Sequence, residues 1–169
     1  GYLIADMADA EALHARVAEL AASRPLHILV NNTGGPPGGA AHSADVSAFL
    51  DAFNKHLVAN HTLLQAVLPG MRSAGWGRIV NVISTSVYEP IPNLGVSNTI
   101  RGAVASWAKT LSRELGADGI TVNNVLPGYT RTQRLDQILA ARSQASGKPQ
   151  AEIAKHNLAR GQEGRLAGA

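Results

Sequence analysis

The sequence of 169 residues contains no cysteine. This absence excludes a disulfide scaffold, a thiol nucleophile and a metal site built from cysteine. Charged residues are scarce as well, at 16%, and no apolar run approaches the roughly 18 residues of a membrane span. The first six residues have neither the basic flank nor the apolar stretch of a signal peptide. We therefore expect a cytoplasmic protein without a membrane partner, folded as one domain over residues 1–169.

Two other classes of partner find little support in the sequence. The net charge is +3, but the basic residues are scattered, whereas a nucleic-acid surface needs them clustered on one face or helix. The histidines show no metal-ligand spacing such as H-E-x-x-H. We expect neither a nucleic-acid partner nor a metal site.

Helical and extended patterns alternate along the chain. Apolar residues spaced three or four apart predict helices, and short apolar runs predict buried strands. The first predicted element is a helix that is capped by Asp9 and runs through Ser23. It is followed by a strand at Leu26–Asn31, a helix at 46–71, a strand at Arg78–Ile83, a helix at 98–115 and a strand at Ile120–Leu126. This order predicts an α/β fold whose parallel sheet is covered by helices on both faces.

Ligands of such sheets bind beyond the carboxyl ends of the strands. The candidate site residues are therefore those that follow each strand: Asp6, Asn31 to Gly35, Ser84 to Ser86 and Pro127 to Thr132.

Four segments, in order and at matching spacing, resemble motifs of the short-chain dehydrogenase/reductase family, and of 3-oxoacyl-carrier-protein reductases in particular. The first resembles L-V-N-N-A-G, with Thr33 in place of the alanine. The others resemble the ending of a long helix, the strand G-R-I-V-N-I-S-S and the turn V-N-x-V-x-P-G-x-x-x-T. These segments are Leu29–Gly34, Gln65–Met71, Gly77–Ser84 and Val122–Gly128 with Thr132.

The resemblance implies a Rossmann-type, doubly wound sheet, an NAD or NADP cofactor and hydride transfer to or from a carbonyl. It also implies a homodimer or homotetramer built on helices 46–71 and 98–115, although burial in the core explains their apolar stripes equally well. Asp6 lies where the family places a carboxylate beside the adenine, and a simple turn residue is the alternative. The cofactor-binding positions it implies are Asp6, Met7, Asn32, Thr33, Gly34, Arg101, Pro127, Gly128, Thr130 and Thr132.

The catalytic positions depart from the family, which uses asparagine, serine, tyrosine and lysine. Ser84 matches the serine, but His56, Ser97 and Arg101 occupy the positions of the other three. A serine hydroxyl is a weaker acid than a phenol and does not reach as far. An arginine keeps the charge of lysine in a planar fork that suits carboxylate or phosphate. For His56, a polar residue within a long helix is the alternative to a catalytic role.

The chain also departs from the family in length, since family members run to roughly 250 residues. The opening strand, glycine-rich turn and helix that hold the pyrophosphate are missing, and so is the closing strand. The segment Gly34–Gly39 does not replace that turn, because its two prolines lack backbone donors. In the usual strand order, residues 1–6 would form an outer strand without neighbours. We expect that the natural protein has further residues.

The leading hypothesis is an NAD(P)-dependent reductase with non-standard proton delivery and a substrate lid at 133–159. An anionic ligand held by Ser84, Ser97 and Arg101 is one hypothesis for the altered site, and a site without a ligand is the other. The rival function is that of a non-catalytic relative that binds a dinucleotide or an anion in a structural or regulatory role.

Overall fold

The computed structural model describes residues 1–128 and 133–154, in two compact units that divide between Leu126 and Pro127. Every predicted helix and strand from Asp9 to Leu126 is found, with its ends shifted by a few residues. In the described part of the chain no helix is both long and apolar enough to cross a bilayer. The elements are α1 (Ala10–Ser23), β1 (Ile28–Asn31), α2 (Val46–Phe53), α3 (Ala59–Ala74), β2 (Gly77–Val82), α4 (Gly95–Glu114), β3 (Ile120–Val125) and α5 (Gln133–Ser146).

The three strands form a parallel sheet in the order β1-β2-β3. Both crossovers lead in the same direction along the sheet, and such crossovers are right-handed. Their helices, α3 and α4, therefore pack on the same face, and α1 packs against α3. The core between this face and the helices is made of Leu64, Val67, Met71, Ile79, Ala108, Leu111, Leu115, Ile120 and Val122.

The other face of the sheet is exposed in the first unit. Ile28, Val30 and Val125 are 62%, 57% and 49% exposed. The parallel α/β fold of Rossmann type is thus confirmed, but the first unit has helices on one face only. Coverage of both faces requires the strand order to reverse direction, and these three strands do not reverse.

Residues 1–6 form no strand, so the outer strand expected there is wrong. A strand needs a neighbour to satisfy its backbone groups, and this segment has none within the described residues. Its contacts are made by other groups: Arg16 Nη1 donates to the Ile4 carbonyl at 2.6 Å, and the Asp9 N–H donates to the Asp6 carbonyl at 3.2 Å.

The helix predicted at 46–71 is interrupted by a π-helical turn at Asn54–Val58. The helix resumes as α3 and ends at Gly75, which has a φ of 60°. A π-turn accommodates one extra residue in the helix, and such turns often occur at functional sites. The turn carries His56, which becomes important below.

Three asparagines lie at the same level of the three strands and form a ladder across the sheet. Asn31 Nδ2 donates to Asn81 Oδ1 at 2.8 Å, and Asn81 Nδ2 donates to Asn124 Oδ1 at 3.1 Å. Asn31 and Asn81 are 4% and 1% exposed. Their amides therefore rely on each other rather than on water, and the ladder resists any slip of the strand register.

The second unit contains α5, on which Leu139 is buried. This helix ends before Gly147, which has a φ of 68° and donates its N–H to the Ser143 carbonyl at 2.9 Å. A second short helix covers residues 150–154, and Lys148 pairs with Glu152 at 2.9 Å. The predicted lid at 133–159 therefore has its helical break at Gly147, and residues 155–159 lie outside the described part of the chain.

We predict that Asn81→Ala destabilises the protein by about 1–3 kcal/mol, because it leaves the amides of Asn31 and Asn124 without their partner. The matched control is Asn123→Ala on the exposed side of β3, for which we expect a change of less than about 0.5 kcal/mol. Urea unfolding curves measure both variants. Equal losses in the two variants would contradict a stabilising role for the ladder.

Candidate active site

Arg101 joins the carboxyl ends of the first two strands. Its position on α4 lets Nη1 donate to the Val82 carbonyl at 2.9 Å and Nη2 donate to the Thr33 carbonyl at 3.3 Å. Val82 is the last residue of β2, and Thr33 follows β1 by two residues. The guanidinium therefore places a fixed positive charge at the edge of the sheet where ligands of this fold bind.

His56 approaches the same point from the π-turn. Its side chain is 2% exposed, and its Nδ1 atom lies 2.6 Å from Thr33 Oγ1, which makes a hydrogen bond. The structure thus brings together three of the positions singled out from the sequence, Thr33, His56 and Arg101. Sequence spacing alone does not predict this meeting, because the π-turn changes the direction of the side chains that follow α2.

The pKa of His56 is lowered from 6.5 to about 4, chiefly because burial disfavours the charged ring. The positive charges of Arg101 and Lys55 contribute to this lowering, and a backbone hydrogen bond with Gly34 partly opposes it. The ring is therefore neutral near pH 7. A group with so low a pKa is a poor proton donor at neutrality.

Ser84 lies just beyond β2 and caps the short helical turn Thr85–Val87, where its Oγ accepts a hydrogen bond from the Ser86 N–H at 3.1 Å. A hydroxyl that accepts in this way still has its own hydrogen to donate. Ser97 lies one turn before Arg101 on α4 and is half-buried. Within the described residues, no hydrogen bond joins Ser97 to Ser84 or to Arg101.

The cofactor positions predicted from the sequence are found in different settings. Asn32 and Gly34 are exposed after β1, and no atom lies within 4 Å of where a Cβ on Gly34 would be. Asp6 is exposed, with Met7 half-buried beside it, and its carboxylate accepts from the Ala8 N–H at 2.9 Å, as in a turn. Pro127 and Gly128 belong to the second unit, whereas Thr130 and Thr132 lie outside the described residues.

Sequence reasoning missed Asn98, whose side chain hydrogen-bonds the backbone of the loop before α4. Its Nδ2 donates to the Ile91 carbonyl at 2.9 Å, and its Oδ1 accepts from the Ile91 N–H at 3.4 Å. The signal was an asparagine in the first turn of a helix, where such side chains bond to nearby backbone.

The glycine-rich loop after β1 is tied to the same region. The Gly39 N–H donates to the Asn93 carbonyl at 2.8 Å, and the Gly39 carbonyl accepts from the Gly95 N–H at 2.9 Å. These two bonds hold the end of the loop against the segment that leads into α4. Within the described residues, no group of His, Asp and Glu side chains is arranged to hold a metal ion.

Comparisons with known proteins point to one family. The family model described as short chain dehydrogenase matches residues 2–143. A putative ketoacyl reductase of Streptomyces coelicolor is 36% identical over 110 residues, which cover 64% of this chain and 42% of that protein. The 2-keto-3-deoxy-L-fuconate dehydrogenase of Xanthomonas campestris is 32% identical over 162 residues, covering 95% of this chain and 52% of that protein.

A solved structure gives the same result. The putative NAD(P) dependent gluconate 5-dehydrogenase of Beutenbergia cavernae, with bound NADP, matches with a TM-score of 0.78 and 28% identity. The match covers 86% of this chain and 58% of that one. The chain spans about half the length of the curated relatives it matches.

We predict that acid destabilises the native protein more than the His56→Asn variant. Between pH 6.5 and about pH 4 the unfolded histidine binds a proton that the folded one does not, so stability falls as the pH falls through this window. The difference between the two proteins should reach at most ~3 kcal/mol. Urea unfolding at pH 7 and pH 4.5 measures it, with His42→Asn, an exposed histidine, as control. Parallel losses in the native protein and His56→Asn would show that His56 does not resist protonation.

Proposed function

We propose, from the premise that the chain belongs to the short-chain dehydrogenase family, that it acts in an oxidoreductase using NAD or NADP. The reaction is hydride transfer between this cofactor and a carbonyl or alcohol substrate. The observation that carries the proposal is the cluster at the ends of β1 and β2, where the Arg101 guanidinium bonds both strand ends and Ser84 follows at the next turn. Ligands of open α/β sheets bind at this edge.

The described residues fit one end of a dinucleotide. The exposed backbone at Asn32 and Gly34, with open space beside Gly34, allows a flat group to approach the strand end closely. Arg101 supplies a positive charge nearby and Ser84 a hydroxyl hydrogen. When bound, the nicotinamide supplies or accepts the hydride. Asp6, Met7, Pro127, Gly128, Thr130 and Thr132 stay predictions as cofactor contacts.

Proton delivery is where this site departs from the expected chemistry. Reduction of a carbonyl places a hydride on carbon and a proton on oxygen. The Ser84 hydroxyl can donate a hydrogen bond to the carbonyl oxygen and polarise it, but neither Ser84 nor Ser97 is acidic enough to protonate it efficiently. His56 is neutral at pH 7, and Arg101 does not release its proton. None of these four described side chains supplies the proton, so we propose that it comes from solvent or from an acidic group of the substrate.

An anionic substrate fits this arrangement. Its carboxylate or phosphate would be attracted by Arg101 and could accept hydrogen bonds from Ser84 and Ser97. Two N–H groups of Arg101 already bond backbone carbonyls. We therefore expect Arg101 to attract the anion mainly through its positive charge rather than through a pair of hydrogen bonds to it. The lid at 133–159 and the cytoplasmic location stay predictions.

We further propose a homodimer or homotetramer through helices 46–71 and 98–115. Val46, Leu50 and Phe53 on α2 are 74%, 58% and 40% exposed. Their spacing of four and three residues places them on one side of the helix. An apolar stripe of this kind, exposed to water, is typical of a surface that another protein covers.

We predict that Ser97→Tyr increases the turnover of neutral ketones by about 10²–10⁴-fold, because it adds an acidic phenol one helical turn from the positive charge of Arg101. Ser97→Phe is the matched control, which adds the ring without the hydroxyl. The measurement is the steady-state oxidation of NADPH and NADH by the naturally encoded protein, with neutral and carboxylate-bearing ketones compared.

The native protein should use the carboxylate-bearing ketones better than the neutral ones. Rapid turnover of neutral ketones by the native protein, or equal rates for Ser97→Tyr and Ser97→Phe, would contradict this account of proton delivery. Failure to bind either nucleotide in a fluorescence titration would contradict the oxidoreductase and leave the non-catalytic, anion-binding role.

We predict that Leu50→Glu lowers the oligomeric state, because it buries a charge in the proposed interface. Ala15→Glu adds the same charge at an exposed position of α1, outside the two helices of the proposed interface, and should leave the assembly unchanged. Light scattering coupled to gel filtration measures the mass of each variant. A monomeric native protein, or an assembly that tolerates Leu50→Glu, would contradict the proposed interface.

A further inference from the structure

Thr33 is contacted by two other elements at once. Its hydroxyl shares a hydrogen bond with His56 of the π-turn at 2.6 Å, and its carbonyl accepts a hydrogen bond from Arg101 of α4 at 3.3 Å. The same guanidinium bonds the Val82 carbonyl at 2.9 Å. Thr33 therefore bonds both the π-turn and α4 at the end of β1.

His56 depends on this contact because its ring is closed to water. A neutral imidazole has one donor and one acceptor nitrogen, and at 2% exposure the ring must find its partners within the protein. The Thr33 hydroxyl serves Nδ1 in either tautomer, as donor or as acceptor. An alanine at position 33 would leave Nδ1 without this partner, so the buried histidine depends on the threonine hydroxyl.

The charges around the ring allow this arrangement. The charged groups that influence His56 are Arg101 from α4 and Lys55 from its own turn, and both disfavour a protonated ring. A neutral ring does not repel the guanidinium, so both groups can bond the same residue. The hydroxyl of Thr33 then holds the residue from one side while its carbonyl receives the guanidinium from the other.

We propose that His56 and Thr33 are a positioning pair that fixes the carbonyl on which the Arg101 guanidinium rests. Thr33, His56 and Arg101, each of which differs from the family pattern, then form a single hydrogen-bonded unit. The pair acts on the reaction by holding the positive charge of Arg101 in place, and this last step rests on the proposed oxidoreductase function.

Nitrogen NMR of the protein labelled in histidine and arginine tests the pair without requiring activity. Thr33→Val removes the hydroxyl and keeps the shape, so we expect the ring signals of His56 and the guanidinium signals of Arg101 both to shift. Thr33→Ser keeps the hydroxyl and should resemble the native protein. Thr121→Val on the exposed side of β3 removes a hydroxyl elsewhere and should change neither set. Should Thr33→Val fail to fold, Thr33→Ala gives the same comparison.

His56→Asn supplies the complementary measurement. The Arg101 signals should shift in this variant as well, although within the described residues His56 bonds Thr33 and not Arg101 itself. Unchanged Arg101 signals in His56→Asn, or unchanged His56 signals in Thr33→Val, would overturn the proposal.

A double-variant cycle adds a kinetic readout. In the naturally encoded protein we expect Thr33→Val and His56→Asn each to lower kcat/KM about tenfold, and the double variant to lose no more than the worse single one. Residues in one network show couplings of about 2- to 150-fold, whereas strictly additive losses would overturn the pair. A protein that binds neither NAD nor NADP would refute the oxidoreductase proposal. The NMR comparison would still show whether His56 and Thr33 position Arg101.

Discussion

The parallel register of the three strands is the constraint on which the candidate site depends. Asn31, Asn81 and Asn124 lie opposite one another, so the strands end at nearly the same level and their following residues lie along one edge. A slip by one residue would turn the buried asparagines to the exposed face of the sheet. It would also move the Val82 carbonyl relative to Thr33, and one guanidinium could no longer bond both.

The sequence predicts the elements of this fold well because their signals are local. The apolar runs of β1, β2 and β3 and the stripes of α3 and α4 need only their own residues to be recognised. The positions of the helices on the two faces of the sheet are not a local property. They depend on the order of the strands, which sets the direction of each crossover connection. The predicted Rossmann-type sheet is therefore confirmed, and its three described strands carry the helices of the first unit on one face.

The site was predicted only in part for a similar reason. The resemblance to the family located Ser84, Arg101 and His56, but hydrogen bonds to backbone carbonyls leave no pattern in a sequence. The use of Arg101 as a link between strand ends is such a case. The π-turn at Asn54–Val58 is a second feature that the sequence does not reveal. The apolar spacing of the helix continues through it, so the pattern does not show the one extra residue that brings His56 to Thr33.

The exposed face of the sheet has a consequence for handling this chain. Ile28, Val30 and Val125 form an apolar surface, and β1 and β3 are both edge strands in the sheet of the described residues. Unprotected edges beside exposed apolar side chains are templates for strand addition between molecules. Material limited to these residues would therefore tend to precipitate or to form fibrils during expression, and adding lysines along the two edges would be a way to keep it dispersed.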